Sequence, residues 1–259
     1  MKIFRRIAVS LSLYSRIPMP VFTWTEEDSA TSLMFFPLVG VLIGALELAA
    51  YQLLRYFELP AFAGAIVLLL IPVFLTGGFH LDGFMDTTDA LRSYRDREEK
   101  LKILKDPHVG AFAVIGLASL LLTAAAAAGL LTEYGEYPIA LTGALSFVLG
   151  RSVSGLLALY LPKARKDGML KQETKGGGKG VSAALLIWGI LAAAAAFLCD
   201  PLSALLLLLS YGACSVVYGF SMKKQFGGVT GDTAGYFLSV SECVSLLVLA
   251  LWCVVRQQL

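Results

Sequence analysis

The chain has 259 residues, 57% of them hydrophobic and 15% charged, with a mean hydropathy of +0.74. Soluble domains carry about 25% charged residues, so this composition excludes an ordinary soluble globule and points to lipid as the main solvent. The net charge of +2 gives no basis for a nucleic-acid partner. In chain order, the start Met1-Lys2-Ile3-Phe4-Arg5-Arg6 looks like a signal peptide. Ser10, Ser12, Ser15 and Arg16 interrupt the apolar run behind it, and no small-residue cleavage site follows. Residues 1–32 are therefore expected to be a retained interfacial segment.

A membrane helix needs about 20 mostly apolar residues. Seven segments qualify: 33–55, 61–79, 110–132, 138–161, 181–198, 202–220 and 233–255. The fold class expected is all-α, a polytopic integral membrane protein with about seven transmembrane helices, forming one catalytic domain over 1–259. Of the 21 Lys and Arg residues, 18 fall in the N-terminal segment and in loops 80–109, 162–180 and 221–232. The positive-inside rule then predicts an N-terminus in the cytoplasm and cytoplasmic loops that carry the active site. The four cysteines, Cys199, Cys214, Cys243 and Cys253, lack CxxC spacing and read as reduced residues in apolar surroundings.

The second span closes on Gly77-Gly78-Phe79-His80-Leu81-Asp82-Gly83-Phe84-Met85-Asp86-Thr87-Thr88-Asp89. Asp82, Asp86 and Asp89 stand at i, i+4 and i+7, one face of a helix. Like charges so spaced repel by a few tenths of a kcal/mol, and a divalent cation bound by hard oxygen ligands would offset this; Mg²⁺ or Mn²⁺ suits such a site. The bland alternative is a solvated helix face. Both histidines of the chain, His80 and His108, lie in this region, each two residues from an aspartate; they fit a proton acceptor or a phosphate contact, or mere coincidence. Between them, Arg92 to Lys105 reads as a short amphipathic basic helix, with Leu101 and Leu104 on its apolar side and anionic headgroups as its simplest partner.

Inside the spans, Glu47, Arg151 and Glu242 are costly charges. Arg151 and Glu242 both sit roughly 15 Å from the same end at about 1.5 Å per residue, so they are expected to pair; Glu47 lies deeper. The loop after the fourth span contains Thr174-Lys175-Gly176-Gly177-Gly178-Lys179-Gly180. It lacks the Walker A spacing and reads as a flexible basic loop or, alternatively, a cover for an anionic substrate. Before the last span, Lys223-Lys224-Gln225-Phe226-Gly227-Gly228-Val229-Thr230-Gly231-Asp232 offers glycines whose backbone N–H groups can approach a ligand. Asp232 reads either as a helix N-cap or as a fourth carboxylate level with the other three.

These motifs resemble the adenosylcobinamide-GDP ribazoletransferase family, also called cobalamin synthase or cobalamin-5′-phosphate synthase. The resemblance rests on Ser15-Arg16-Ile17-Pro18-Met19-Pro20, Phe36-Pro37-Leu38-Val39-Gly40, Gly77 to Asp89, Lys105-Asp106-Pro107-His108-Val109-Gly110, and Gly227 to Asp232 with Gly235. Ala90 departs from it, since the family often has Gly there. The resemblance implies that adenosylcobinamide-GDP and α-ribazole, or its 5′-phosphate, give adenosylcobalamin, or its phosphate, and GMP, with Mg²⁺ as cofactor. It further implies Asp82, Asp86, Asp89 and Asp232 as metal ligands and His80 or Asp106 as base. Lys105, His108, Lys223, Lys224, Gly228, Thr230 and Gly231 would then contact the substrate phosphates. The expected setting is the bacterial inner membrane, with lipid as a partner, no nucleic acid, and room for a homo-oligomer. Two other readings are a CDP-alcohol phosphotransferase, whose Asp-x-x-Asp-Gly-x-x-Ala-Arg pattern is missing, and a transporter, whose carboxylates belong near the bilayer midplane.

Overall fold

The computed structural model describes residues 2–165, 170, 174 and 178–259. Its helices are α1 (Lys2–Tyr14), α2 (Glu26–Ser32), α3 (Phe36–Tyr56), α4 (Ala61–Thr76), α5 (Phe79–Arg92) and α6 (Arg97–Ile103). They continue with α7 (Ala111–Tyr134), α8 (Tyr137–Tyr160), α9 (Lys179–Cys199), α10 (Pro201–Phe226) and α11 (Gly231–Arg256). Six helices are long and apolar enough to cross a membrane, and a seventh span is formed if α4 and α5 count as one bent unit. The all-α polytopic expectation therefore holds. The predicted segments match these helices, with two instructive differences.

The second span ends at Thr76 rather than 79. Gly77 and Gly78 both take left-handed φ values, +68° and +77°, which only glycine adopts at little cost. The chain turns by 94° there, and α5 runs across the end of the bundle. Helix α10 runs six residues past the predicted 220, to Phe226. Lys223 and Lys224 thus belong to its last turn, where cations oppose the helix dipole favourably, and Gly227 (φ +77°) closes it.

Other boundaries follow from local chemistry. Thr25 and Asp28 form a capping box for α2, and Arg5 and Arg6 of α1 pair with Asp28 and Glu27 at 2.8 and 2.7 Å. Asp200 accepts from the Leu202 and Ser203 N–H groups at the start of α10. Small residues let the long helices touch: on α3, Gly40 and Gly44 face the backbone of Phe147 and Ala144 on α8, where a Cβ would collide, as expected for small-xxx-small contacts between membrane helices. At the end opposite α5, Arg256 binds Asp200 (2.7 Å) and Glu136 (3.5 Å), and Arg55 donates to the Thr132 and Glu133 carbonyls. All four cysteines are free.

Arg151 and Glu242 meet as anticipated. The guanidinium donates to Glu242 Oε1 at 2.8 Å and to the Phe147 carbonyl at 3.0 Å, with Arg151 1% exposed. Beside them a cavity of about 150 Å³, mostly apolar, is also lined by Glu47, Thr76, His80 and Ser239.

Candidate active site

Helix α5 carries the aspartate stripe and is fixed on three sides. Against α11, a Cβ on Gly83 would lie 2.7 Å from the Asp232 carbonyl oxygen, and one on Gly235 would lie 2.9 Å from that of His80. The two helices therefore meet backbone to backbone, and Phe84 stacks on Tyr236 with centroids 5.5 Å apart and planes at 6°. Against α7, the Asp89 carboxylate accepts from the N–H groups of Gly110 (2.6 Å) and Ala113 (2.8 Å). At the bend, the Arg16 N–H donates to Leu75 O at 2.7 Å and its side chain lies over Gly77.

The carboxylates share one neighbourhood. Asp86 lies within electrostatic reach of Asp82, Asp232 and Asp89, and Asp82 within reach of Asp232. Asp82 is exposed and Asp86 half-buried, and among the described residues neither carboxylate has a hydrogen-bond or ion-pair partner. Among the described residues, no three His, Cys, Asp or Glu side chains gather closely enough to hold one ion. Asp232 is not the N-cap of α11: Thr230 is, in a reciprocal box with Thr233, because its hydroxyl reaches the Thr233 N–H at 3.2 Å. Asp232 stands inside the first turn, its carboxylate 3.4 Å from the Thr230 hydroxyl.

Such a donor set fits Mg²⁺: it is all hard oxygen, it is crowded with like charge, and two of its carboxylates are uncommitted. Mg²⁺ commonly uses one or two carboxylates together with substrate phosphates. Asp89 differs from the others, since the start of α7 already occupies it.

The histidines separate. His80 lies on the bundle side of α5, 5.8 Å from the Phe36 ring, and lines the cavity with Arg151. His108 is exposed, its Nδ1 2.6 Å from Asp106 Oδ1, and its own N–H also reaches that oxygen at 3.0 Å. The backbone N–H and the ring of His108 together hold the Asp106 carboxyl below its usual range. Lys105, Lys223 and Lys224 are exposed. Gly228 and Thr230 are buried in the loop before α11. There Val229 N donates to Pro162 O (2.8 Å) and Ala164 N to Val229 O (3.0 Å).

That pairing brings in residues not anticipated as part of the site. Lys163 folds back onto the end of α8 and donates to the carbonyls of Ala158 and Leu161, while burial lowers the pKa of its ammonium. Arg165 donates to Leu101 O at 2.8 Å and stands within electrostatic reach of Asp232. Helix α6 docks on protein through Leu104, buried in the core, and through Lys100, also buried, which donates to Gln225 at 2.5 Å. A basic residue just past a span reads as topology signal, and no local pattern marked these residues as site elements. Residues 166–169, 171–173 and 175–177 of the basic loop, including Lys175-Gly176-Gly177, lie outside the described residues.

A bundle of apolar helices whose polar end holds a braced cross-helix of carboxylates, with Arg165 within electrostatic reach of Asp232, fits a membrane-embedded enzyme. The family model described as cobalamin-5-phosphate synthase matches residues 6–250, and the chain belongs to that family of transferases. Among similar proteins, the adenosylcobinamide-GDP ribazoletransferase of Clostridium perfringens is 34% identical over 97% of this chain and 100% of its own length. That of Lachnoclostridium phytofermentans is 32% identical over 95% and 93%, and that of Chlorobium phaeovibrioides 36% over 86% and 87%. No solved structure matches this chain. Membership sets aside the lipid-phosphotransferase and transporter readings.

Proposed function

We propose that this protein joins adenosylcobinamide-GDP to α-ribazole or its 5′-phosphate, giving adenosylcobalamin or its 5′-phosphate and GMP, by Mg²⁺-dependent phosphoryl transfer. The observation that carries this is the uncommitted pair Asp82 and Asp86 on α5, facing Asp232 across the α5–α11 contact. When bound there, Mg²⁺ would neutralise diphosphate charge as it builds on the leaving group. Asp82 and Asp86 would hold it together with substrate phosphate oxygens, with Asp232 alongside and Asp89 fixing the stripe to α7.

A ribose hydroxyl oxygen attacks the phosphorus bearing cobinamide, the bond from that phosphorus to the GMP oxygen breaks, and the hydroxyl proton passes to a base. His108 is the better base of the two histidines. Asp106 orients its Nδ1, leaving Nε2 to accept, and it lies two residues from Gly110, which the Asp89 carboxylate holds. Lys105, Lys223 and Lys224 balance phosphate charge from the rim. The proposed setting is a bacterial inner membrane with the site on its cytoplasmic face, a reading the lysine and arginine bias supports. The test is GMP release from adenosylcobinamide-GDP and α-ribazole by purified protein in nanodiscs, with Mg²⁺ or with EDTA. Release should need the metal and should vanish in Asp82→Asn while the variant still inserts and folds. Metal-independent release, or none from the wild type, would refute the proposal.

A further inference from the structure

The arginines around the loop before α11 stay unused by this scheme. Arg97 opens α6, and among the described residues its guanidinium has no ion pair or hydrogen bond. It packs over Gly227, where any Cβ would run into it. Gly227 therefore serves two purposes: its φ of +77° closes α10, and its missing side chain makes room for the arginine. Arg165 arrives from a different segment. It is held by the pairing of Pro162–Ala164 with Val229, donates to Leu101 O in α6 at 2.8 Å, and projects its field onto Asp232. Leu101 is four residues along α6 from Arg97, so the peptide group that Arg165 holds sits roughly 6 Å further along the helix axis. Two guanidinium groups from distant parts of the chain thus flank the same short helix, beside the loop that delivers Asp232.

We propose that Arg97 and Arg165 form a guanidinium clamp for the phosphates of the guanosine nucleotide, gripping the donor before transfer and GMP afterwards. The clamp rests on the reading of the site given above. Planar guanidinium groups match phosphate oxygens two at a time, and the contacts are charge-assisted. The placement also makes electrostatic sense. Asp82, Asp86 and Asp232 alone would repel a diphosphate, and a fixed pair of cations at one edge sets which end of the donor enters there.

The experiment measures GMP and inorganic pyrophosphate binding by calorimetry, with Mg²⁺ present, to full-length protein in phosphatidylcholine nanodiscs, alongside steady-state kinetics. Arg97→Ala and Arg165→Ala should each weaken GMP binding about 10- to 100-fold, the equivalent of 1.4–2.7 kcal/mol. The donor KM should rise while the KM for α-ribazole stays within about twofold. Arg97→Lys should recover only part of the loss, because an ammonium lacks the fork. Arg165→Gln retains a donor for Leu101 O, so it separates loss of charge from loss of fold; weak GMP binding by a normally folded Arg165→Gln variant supports the clamp. Unchanged GMP and pyrophosphate binding in all variants would overturn it. So would binding lost in wild type when the nanodiscs are phosphatidylglycerol, which would assign the arginines to lipid headgroups. The proposed reaction can fail separately: if wild type releases no GMP in turnover yet binds it through these arginines, the clamp stands and the reaction does not.

Discussion

Removing Glu242 should destabilise the protein more than removing Glu242 and Arg151 together. The Arg151 guanidinium is 1% exposed and has three supports: Glu242 at 2.8 Å, the Phe147 carbonyl at 3.0 Å, and the faces of Phe36 and Phe147 at 5.7 and 5.9 Å. Among the described residues its Nε has no hydrogen-bond partner. Unit charges about 4 Å apart interact by about 4 kcal/mol at an effective dielectric of about 20. Breaking one side of a buried pair typically costs about 3–5 kcal/mol, because a charge is left uncompensated. Glu242→Gln should fall in that range. Arg151→Met should cost at least as much, since it leaves Glu242 within electrostatic reach of Glu47. The double variant Arg151→Met/Glu242→Gln should return to within about 2 kcal/mol of wild type, because neutral groups of similar volume suit an apolar bundle. Thermal unfolding in one detergent at fixed protein concentration reads all four species. A coupling energy below about 0.5 kcal/mol, the ordinary limit for independent sites, would refute the pairing as a source of stability.

Gly83→Ala should destabilise although alanine normally improves a helix by about 0.5–1 kcal/mol. The new Cβ meets the Asp232 carbonyl oxygen at 2.7 Å and its Cα at 2.9 Å, and overpacking costs about 1–3 kcal/mol; a lower unfolding temperature and lower turnover with every carboxylate intact are expected. Asp89→Ala should lose about 1–3 kcal/mol, since it strands the Gly110 and Ala113 N–H groups. Asp89→Asn keeps one acceptor but turns its NH2 toward the other N–H group, so it should unfold between Asp89→Ala and wild type, with reduced GMP release. Thr230→Val should cost about 1 kcal/mol of cap stabilisation, read by the same unfolding assay, and should lower turnover by loosening Asp232.

Hydropathy alone located the long helices to within a few residues, because lipid exposure imposes a requirement that composition reports directly. It failed at α10, where Ser221 to Phe226 look polar enough for a loop but continue the helix until Gly227 can take the left-handed cap. The aspartate stripe was legible from spacing, and the Arg151–Glu242 pair from depth. The orientation of His80 was available too: two residues from Asp82 is about 200° of helix rotation, the opposite side of α5. Lys100 and Arg165 were not legible. Each looks like a solvated cation locally and acquires its role from a partner 125 or 64 positions away.

Why a carboxylate stripe should be mounted on a membrane bundle follows from the forces at α5. Three aspartates on one face push apart, and an isolated 14-residue helix is marginal in water. Here the repulsion is resisted by contacts that do not involve the free carboxylates: backbone contact with α11 at Gly83 and Gly235, the Phe84–Tyr236 stack, and the glycine bend under Arg16. Asp89 turns one of the three charges into a brace, because it faces the positive end of α7 and takes two of that helix's orphan N–H groups. The backbone that carries the remaining carboxylates is held in place before any cation or phosphate arrives, so what is left for binding is to draw those side chains together. On this view the apolar helices fix the height and tilt of α5, and substitutions in its bracing contacts should cost activity in proportion to how far they move Asp82 and Asp86 from Asp232.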